Sequence, residues 1–264
     1  MENARELKAQ GQADWDLRDW KPQTLSDWTE SKGGMLNLLE NEFMIKHADL
    51  SNKDVYTQHA QFLMVCANDI LEKQGRRFIV DEYNKDVLKF LLYYFNGCDE
   101  CEKVFPNKEY KLGKQLLLYG EPGTGKTLIM EMFSLYLRRM NNPYAFVNIS
   151  LTQMMNHFQV NENIDRYTFN AGKDSIEGRP FNVCLNDIGV STHRHYGTDP
   201  KVIIEEFLFS RNDIYVSTGQ RAHLTTNMDK QDIRKMFGDD EHGRLMDRIF
   251  NTYNFIPLTG ESRR

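Results

Sequence analysis

The sequence lacks three features that would each define a class of protein. It contains no apolar run long enough to span a bilayer, so we expect no membrane contact and a cytoplasmic location. Its formal net charge of -5 argues against a protein that coats nucleic acid by bulk electrostatics. Of its four cysteines, only Cys98 and Cys101 form a CxxC pair, and a structural zinc site needs a second pair. Free thiols are therefore expected.

What is present changes in character near residue 76. Ser51 begins a Ser-x-x-Asp pattern that is typical of a helix start, and apolar residues then recur at helical spacing until Gly75. A shorter helix is suggested at 36–44. We interpret residues 1–76 as a helical N-terminal adaptor that binds a partner, and residues 77–264 as a second domain.

The three tryptophans all lie in the adaptor, and each one follows an aspartate: Trp15, Trp20 and Trp28. Exposed tryptophans make good interface anchors, so this segment could dock a partner protein. The alternative is that one or more of them pack onto the short N-terminal helices.

After residue 76 the pattern alternates between strand and helix. Phe78 to Val80 is apolar and leads into a helix from Val87 to Phe95, and a longer helix runs from Lys126 to Met140. The sheet strands are placed at 115–119, 144–149, 181–185, 222–226 and 253–257. Their hydrophobicity is continuous, which indicates burial on both faces. The expected fold is α/β, with a parallel five-stranded P-loop sheet and helices on both faces.

The strongest motif is GEPGTGKT, a complete G-x-x-x-x-G-K-T between a strand and a helix. Its glycines permit a loop whose N–H groups surround phosphates, and the following helix start adds a positive dipole end. The motif predicts ATP as ligand and Mg²⁺ as its cation, with Thr127 as a metal ligand. The expected nucleotide-binding residues are Gly120, Glu121, Pro122, Gly123, Thr124, Gly125, Lys126, Thr127 and Leu128.

One further residue is a candidate because of its position. Asn227 follows the strand 222–226 and could orient the water that attacks the γ-phosphate, although an ordinary asparagine at a strand end is the alternative.

Taken in order, GEPGTGKT, LNDIG, HLTTN, GRLMDRI and the final SRR resemble the DnaC and IstB branch of AAA+ ATPases over roughly residues 78–264. The resemblance implies that Arg248 is the arginine finger, inserted into the ATP site of a neighbouring subunit. It implies that Arg264 is the second sensor, although Arg263 stands where this branch has an aromatic residue. The alternative for Arg248 is a surface ion pair with Asp247 or Glu241.

The resemblance also makes Arg211, near the end of the helix that begins at Pro200, a secondary trans-acting candidate at a subunit interface. The alternative for Arg211 is a charge that stabilises a helix C-terminus.

The resemblance also assigns the acidic positions of FNVCLNDIGV. Alignment on Ile188 and Gly189 puts Asn186 at the Mg²⁺-associated acid and Asp187 at the water-activating acid. An amide brings no charge to offset Mg²⁺, so firm ATP binding with slow hydrolysis is expected. Successive strand residues point to opposite faces, so Asn186 and Asp187 cannot exchange roles unless the strand contains a bulge.

The family's activities suggest what the protein does. Members of this branch are ATPases that act on DNA as ATP-dependent oligomers: DnaC relatives load the replicative helicase, and IstB relatives assist transposition. The resemblance therefore implies a homo-oligomer with ATP at subunit interfaces, single-stranded DNA as a ligand, and a replicative helicase or a transposase as partner. A nucleotide-gated assembly protein with little hydrolysis remains an alternative, whereas a small-molecule kinase would leave Asn227 and Arg248 without a role.

Overall fold

The computed structural model describes residues 48–169, 180–189, 199–238 and 244–263. The predicted helix at 36–44, the three tryptophans and Arg264 lie outside these ranges. The helices are Lys53–Glu72 (α1), Lys85–Phe95 (α2), Cys101–Val104 (α3), Lys126–Arg139 (α4), Leu151–Asn161 (α5), Pro200–Thr218 (α6), Lys230–Phe237 (α7) and Arg244–Thr252 (α8). The strands are Gln115–Tyr119 (β1), Phe146–Ser150 (β2), Asn182–Ile188 (β3), Ala222–Thr226 (β4) and Tyr253–Pro257 (β5).

All five strands form one parallel sheet in the order β2-β3-β4-β1-β5. β1 lies between β4 and β5, with Leu117 paired to Leu224 on one side and to Phe255 on the other. The carboxyl ends of β1, β3 and β4 therefore meet at one edge of the sheet, where the P-loop begins. This is the position at which open α/β sheets bind ligands.

Alternate residues of β1 pack into two separate hydrophobic cores, one on each face of the sheet. This confirms the expected sheet with helices on both faces. Leu116 and Leu118 pack with α1, α2 and α4, whereas Leu117 packs on the opposite face with α5, α6, α7 and α8. The period of two in strand side chains explains this division. The expected α/β fold with a parallel five-stranded sheet is confirmed.

Helix α1 is packed against the P-loop helix α4. The Nδ1 atom of His59 is 2.6 Å from the Tyr136 hydroxyl, and Arg139 forms an ion pair with Asp69 at 2.6 Å. The helix starts one residue later than the sequence suggested, because Asn52 rather than Ser51 accepts the first backbone N–H groups through its side chain.

One predicted extended segment is not a strand. Phe78 to Val80 pairs with no described strand, and the side chains of Ile79 and Val80 are exposed. The Phe78 N–H donates instead to the Asn68 side chain, 2.9 Å away, so the segment runs along α1. The four cysteines are free thiols, as expected. Within the described ranges, no helix combines the length and the apolar character needed to cross a bilayer.

Candidate nucleotide site

The P-loop follows β1 directly and is packed against the chain that leaves β5. Gly120 has φ +150° and Gly123 has φ +87°, both in the region that favours glycine. A Cβ atom at Gly120 would collide with the Leu258 carbonyl, and one at Gly123 would collide with the Ser262 side chain. Glycine is therefore required at these two positions both by conformation and by the close approach of the C-terminal segment.

The Lys126 ammonium group is held inside the loop that it is expected to serve. Its Nζ atom donates to the Gly120 carbonyl at 2.7 Å and to the Glu121 carbonyl at 2.9 Å. Lys126 is buried at the start of α4, where the helix dipole also favours an anion. A phosphate chain bound here would meet the ammonium group and the N-terminal N–H groups of α4 together.

A β-bulge changes the direction of the side chains at the tip of β3. Leu185 pairs with Leu224 and Ile188 with Thr226, so three steps along β3 match two steps along β4. Within the bulge, Asp187 has a left-handed backbone conformation with φ +61°, and its N–H donates to the Thr225 hydroxyl at 2.9 Å. The strict alternation of side chains between the two faces is therefore broken at Asn186 and Asp187, whose expected roles depended on it.

The bulge brings Asp187 to the P-loop threonine. The Thr127 hydroxyl lies 3.4 Å from Oδ1 of Asp187, which is half-buried at the floor of the cleft. A hydroxyl and a carboxylate are hard oxygen donors of the kind that Mg²⁺ prefers. Among the described residues, no group of three or more His, Cys, Asp or Glu side chains is placed to hold a metal ion. A Mg²⁺ ion would thus rely on Thr127, Asp187 and the phosphates of the nucleotide.

Asn186 lies on the other side of the bulge, inside the sheet. It is 4% exposed, donates to the Asn148 side chain at 3.1 Å, and accepts a hydrogen bond from the Thr225 hydroxyl at 3.2 Å. Cys184 also lies within reach, with Sγ 3.5 Å from Oδ1 of Asn186. The amide links three neighbouring strands, β2, β3 and β4, and its hydrogen bonds are directed to protein groups.

The charge of Asp187 affects the pKa of a glutamate on the P-loop helix α4. Glu131 lies one turn after Thr127 on α4. Its pKa is raised by desolvation of the part of the side chain that faces the protein, and the Asp187 charge raises it further. A site that disfavours a second negative charge in this way favours a cation.

A cleft of about 290 Å³ brings most of the sequence-predicted residues together. Asp187 is the one carboxylate among the described residues that line it, and Asn227 projects into it from the end of β4. Two arginines that sequence reasoning did not place here, Arg76 and Arg263, also line the cleft. The described residues that line the cleft are Arg76, Pro122, Gly123, Gly125, Lys126, Thr127, Leu128, Asp187, Asn227 and Arg263.

A second cavity of about 230 Å³ adjoins the first on the side of Thr124, Gly125 and Leu128. Its walls include the apolar side chains of Leu71, Phe78, Ile79, Leu128 and Ile129. Pockets of this kind, apolar with a few polar groups, suit a flat heterocyclic ligand. The two cavities share Arg76, Gly125, Leu128 and Arg263 in their walls, so they meet at the start of α4.

Neither Arg248 nor Arg264 is among the described residues that line the cleft. Arg248 lies on α8 and is directed towards α6, with NH1 3.5 Å from Oδ1 of Asp213 and its guanidinium 5.1 Å from the centre of the Phe209 ring. It does not line the cleft of its own chain. Arg264 lies outside the described residues. The roles of both residues remain predictions.

Arg211 is not available to a neighbouring subunit. It is 1% exposed and donates to the carbonyl oxygens of Thr168, Phe181 and Arg221 at 2.7 to 3.1 Å. Burial lowers the pKa of this guanidinium to about 10. Its placement at a subunit interface is therefore wrong, because the side chain ties α6 to the loops beside β3.

Comparison with known proteins shows which family the P-loop part of the chain is similar to. Residues 116–195 match the family described as the ATPase family associated with various cellular activities, AAA. The matched span contains the P-loop, α4 and the tip of β3 with Asp187. The match confirms the resemblance to AAA+ ATPases over this part of the chain, which is less than half of its length.

Three solved structures are among those similar to this chain. The crystal structure of DnaI is 18% identical with a TM-score of 0.46, covering 72% of this chain and 89% of that one. A candidate primosome component from Streptococcus pyogenes serotype M3 is 16% identical with a TM-score of 0.47, covering 71% and 85%. The DnaC helicase loader is 12% identical with a TM-score of 0.45, covering 69% and 93%. The comparison with curated proteins gave no match.

Proposed function

We propose that the protein is an ATPase that binds ATP with Mg²⁺ and hydrolyses it slowly. The observation that carries this proposal is the Thr127 hydroxyl facing Asp187 in a cleft that also holds Lys126 and Asn227. Lys126 and the α4 amides would bind the phosphates, and Asn227 would orient the attacking water. Mg²⁺ would supply charge neutralisation at the phosphate chain.

We assign the role of the Mg²⁺-associated residue to Asp187 rather than to Asn186. The bulge directs Asp187 to Thr127, and the Asn186 amide is engaged by Asn148 and Thr225. In this assignment Asp187 is the only acid at the tip of β3 among the described residues, where the family pattern has one acid for Mg²⁺ and a second for activating water. Slow hydrolysis then follows from the lack of a second acid to activate water, rather than from weak metal binding.

The partner proposed for this ATPase is a replicative helicase, which it would load onto single-stranded DNA as a cytoplasmic homo-oligomer. The proposal is supported by the ordered motifs from the P-loop to the final arginines, which resemble those of helicase loaders. Residues 1–76 would bind the partner. We expect pull-down of the helicase to be lost when the first 30 residues are removed, whereas capture of a transposase instead would favour a transposition helper.

The lone carboxylate also favours a second candidate, a protein that assembles on ATP and hardly hydrolyses it. Calorimetric titration with Mg·ATP and steady-state turnover separate the two. The ATPase proposal expects tight binding and slow turnover that rises with single-stranded DNA and helicase. Binding and assembly without turnover under all these conditions would favour the second candidate, and a folded chain that fails to bind Mg·ATP would overturn both.

A mixing experiment tests whether Arg248 acts on a neighbour. Within one chain its guanidinium is half-exposed against Asp213, so it can be released to another subunit. Neither Arg248→Ala nor Lys126→Ala should turn over ATP alone. A mixture of the two should regain part of the activity, because one supplies an intact cleft and the other an intact arginine. A mixture that stays inactive would contradict a role in trans.

A further inference from the structure

The mouth of the nucleotide cleft carries two arginines from opposite ends of the described chain. Arg76 follows helix α1, and Arg263 lies in the C-terminal segment. Both line the phosphate cavity as well as the adjoining apolar cavity, so they lie where the two cavities meet. Arg76 lies outside all the motifs that resemble the family, whereas Arg263 belongs to the final SRR.

The guanidinium group of Arg263 is already occupied. It forms an ion pair with Asp81, with contacts of 2.8 to 3.1 Å to both carboxylate oxygens, and it also donates to the Thr124 carbonyl. The Arg263 backbone N–H donates to the Gly123 carbonyl at 3.0 Å. These contacts fix the C-terminal segment on the outer side of the P-loop and neutralise the Arg263 charge.

Arg76 is held nearby by a neutral backbone acceptor. Its guanidinium donates to the carbonyl oxygen of Arg263, which places it beside Gly123. Among the described residues it has no carboxylate partner. A carbonyl is a neutral acceptor, so an anion entering the cleft would be the stronger partner.

The backbone around Arg76 gives this side chain a defined starting position. Gly75 has φ +65° and ends the α1 segment, and the Arg76 N–H donates to the Leu71 carbonyl at 3.1 Å. Arg76 is therefore anchored to the end of α1, which itself packs against α4. The guanidinium needs only a side-chain rotation to leave the Arg263 carbonyl.

We propose that Arg76 is a further nucleotide-binding residue, which contacts the phosphate chain of ATP bound in its own subunit. The inference rests on the proposed function and adds a contact from outside the P-loop motif. The described residues that line the phosphate cavity include three cations, Arg76, Lys126 and Arg263, and one carboxylate, Asp187. Because Asp81 engages Arg263, Arg76 is the arginine available to a phosphate.

The test compares Arg76→Gln with Arg138→Gln. Arg138 is also exposed, lies near the end of α4 and lines neither cavity, so it is a control for loss of one positive charge. Calorimetric titration of the full chain with Mg·ATP should show about tenfold or greater weakening for Arg76→Gln, the value for a lost charged hydrogen bond. Arg138→Gln should stay within about twofold of the unmodified chain, and Arg76→Lys should recover part of the affinity.

Three outcomes would overturn the inference or the function beneath it, and they are distinguishable. Equal Mg·ATP affinity for Arg76→Gln and the unmodified chain would remove Arg76 from the site. Equal weakening in Arg76→Gln and Arg138→Gln would indicate general electrostatics rather than a contact. In both cases loss of binding in Lys126→Ala would leave the proposed function intact, whereas an unmodified chain that binds no Mg·ATP would overturn the proposed function itself.

Discussion

The two sides of the nucleotide cleft are built in different ways. The metal side, Lys126, Thr127, Asp187 and Asn227, is attached to the ends of three buried parallel strands and to the first turn of α4. The linker side, Arg76, Asp81 and Arg263, consists of segments outside the sheet that are joined by an ion pair between residues 182 positions apart. The rigid scaffold fixes the groups that the chemistry requires, and the linker side adds affinity and depends on longer, more exposed side chains.

The largest effect should come from the metal side. Lys126→Ala removes the one ammonium group inside the P-loop, and we expect Mg·ATP affinity to fall about a hundredfold and turnover to disappear. Arg76→Gln, the change on the linker side, should weaken Mg·ATP binding only about tenfold. Calorimetric titration measures both, with the exposed Lys89→Ala on α2 as control. A smaller loss for Lys126→Ala than for Arg76→Gln would reverse the order of the two sides.

The next effect concerns stability within the metal side. Asn186→Asp places a carboxylate where the Asn148 side chain accepts a hydrogen bond, at a position that is 4% exposed. We expect the free energy of unfolding to fall by about 1–3 kcal/mol, because a buried acceptor then lacks a donor. Chemical denaturation measures this, and the exposed Asn107→Asp should change little. An Asn186→Asp variant that is as stable as the unmodified chain and turns over faster would support the alternative assignment of Asn186 to the metal.

The smallest effect should come from the ion pair on the linker side. Desolvation acts to raise the pKa of Asp81, but hydrogen bonds from Arg263 and the Asn84 N–H outweigh it and lower the pKa. A lowered folded-state pKa contributes stability above the unfolded value of about 4, and this is lost as the pH falls through the folded value. Asp81→Asn should thus lower Tm near neutral pH.

The pH dependence of that difference is the check. The gap in Tm between Asp81→Asn and the unmodified chain should narrow as the pH falls below about 4, where the carboxyl group becomes protonated. Asp99→Asn is the control, because Asp99 is exposed and has no side-chain ion pair among the described residues. A gap that is constant with pH would mean that Asp81 does not act through its charge.

The contrast between the two sides also explains what the sequence could predict. The P-loop, the five strands and the position of Asn227 follow from local patterns, because apolar strands and glycine spacing are written in consecutive residues. The bulge at Asp187 was not predictable, since it depends on how Thr225 of the neighbouring strand accepts its N–H. The sequence indicated only that a bulge at this point would redirect the side chains of Asn186 and Asp187.

The linker side was missed for a related reason. Phe78 to Val80 has the composition of a strand but no described strand to pair with, and the site role of Arg76 depends on where the C-terminal segment packs. The one signal available was Arg263, which stands where the related branch has an aromatic residue. Its contact with Asp81 joins residues too distant in sequence for any local pattern to relate them.

The assignment of Asp187 rather than Asn186 to the metal is the central claim, and Mn²⁺ tests it most directly. Electron spin resonance titration of Mn²⁺ into the ATP complex measures metal affinity without requiring turnover. Asp187→Asn should weaken Mn²⁺ binding about tenfold or more, while Asn186→Asp should leave it within about twofold of the unmodified chain. Unchanged affinity in Asp187→Asn, together with a clear gain in Asn186→Asp, would contradict the account.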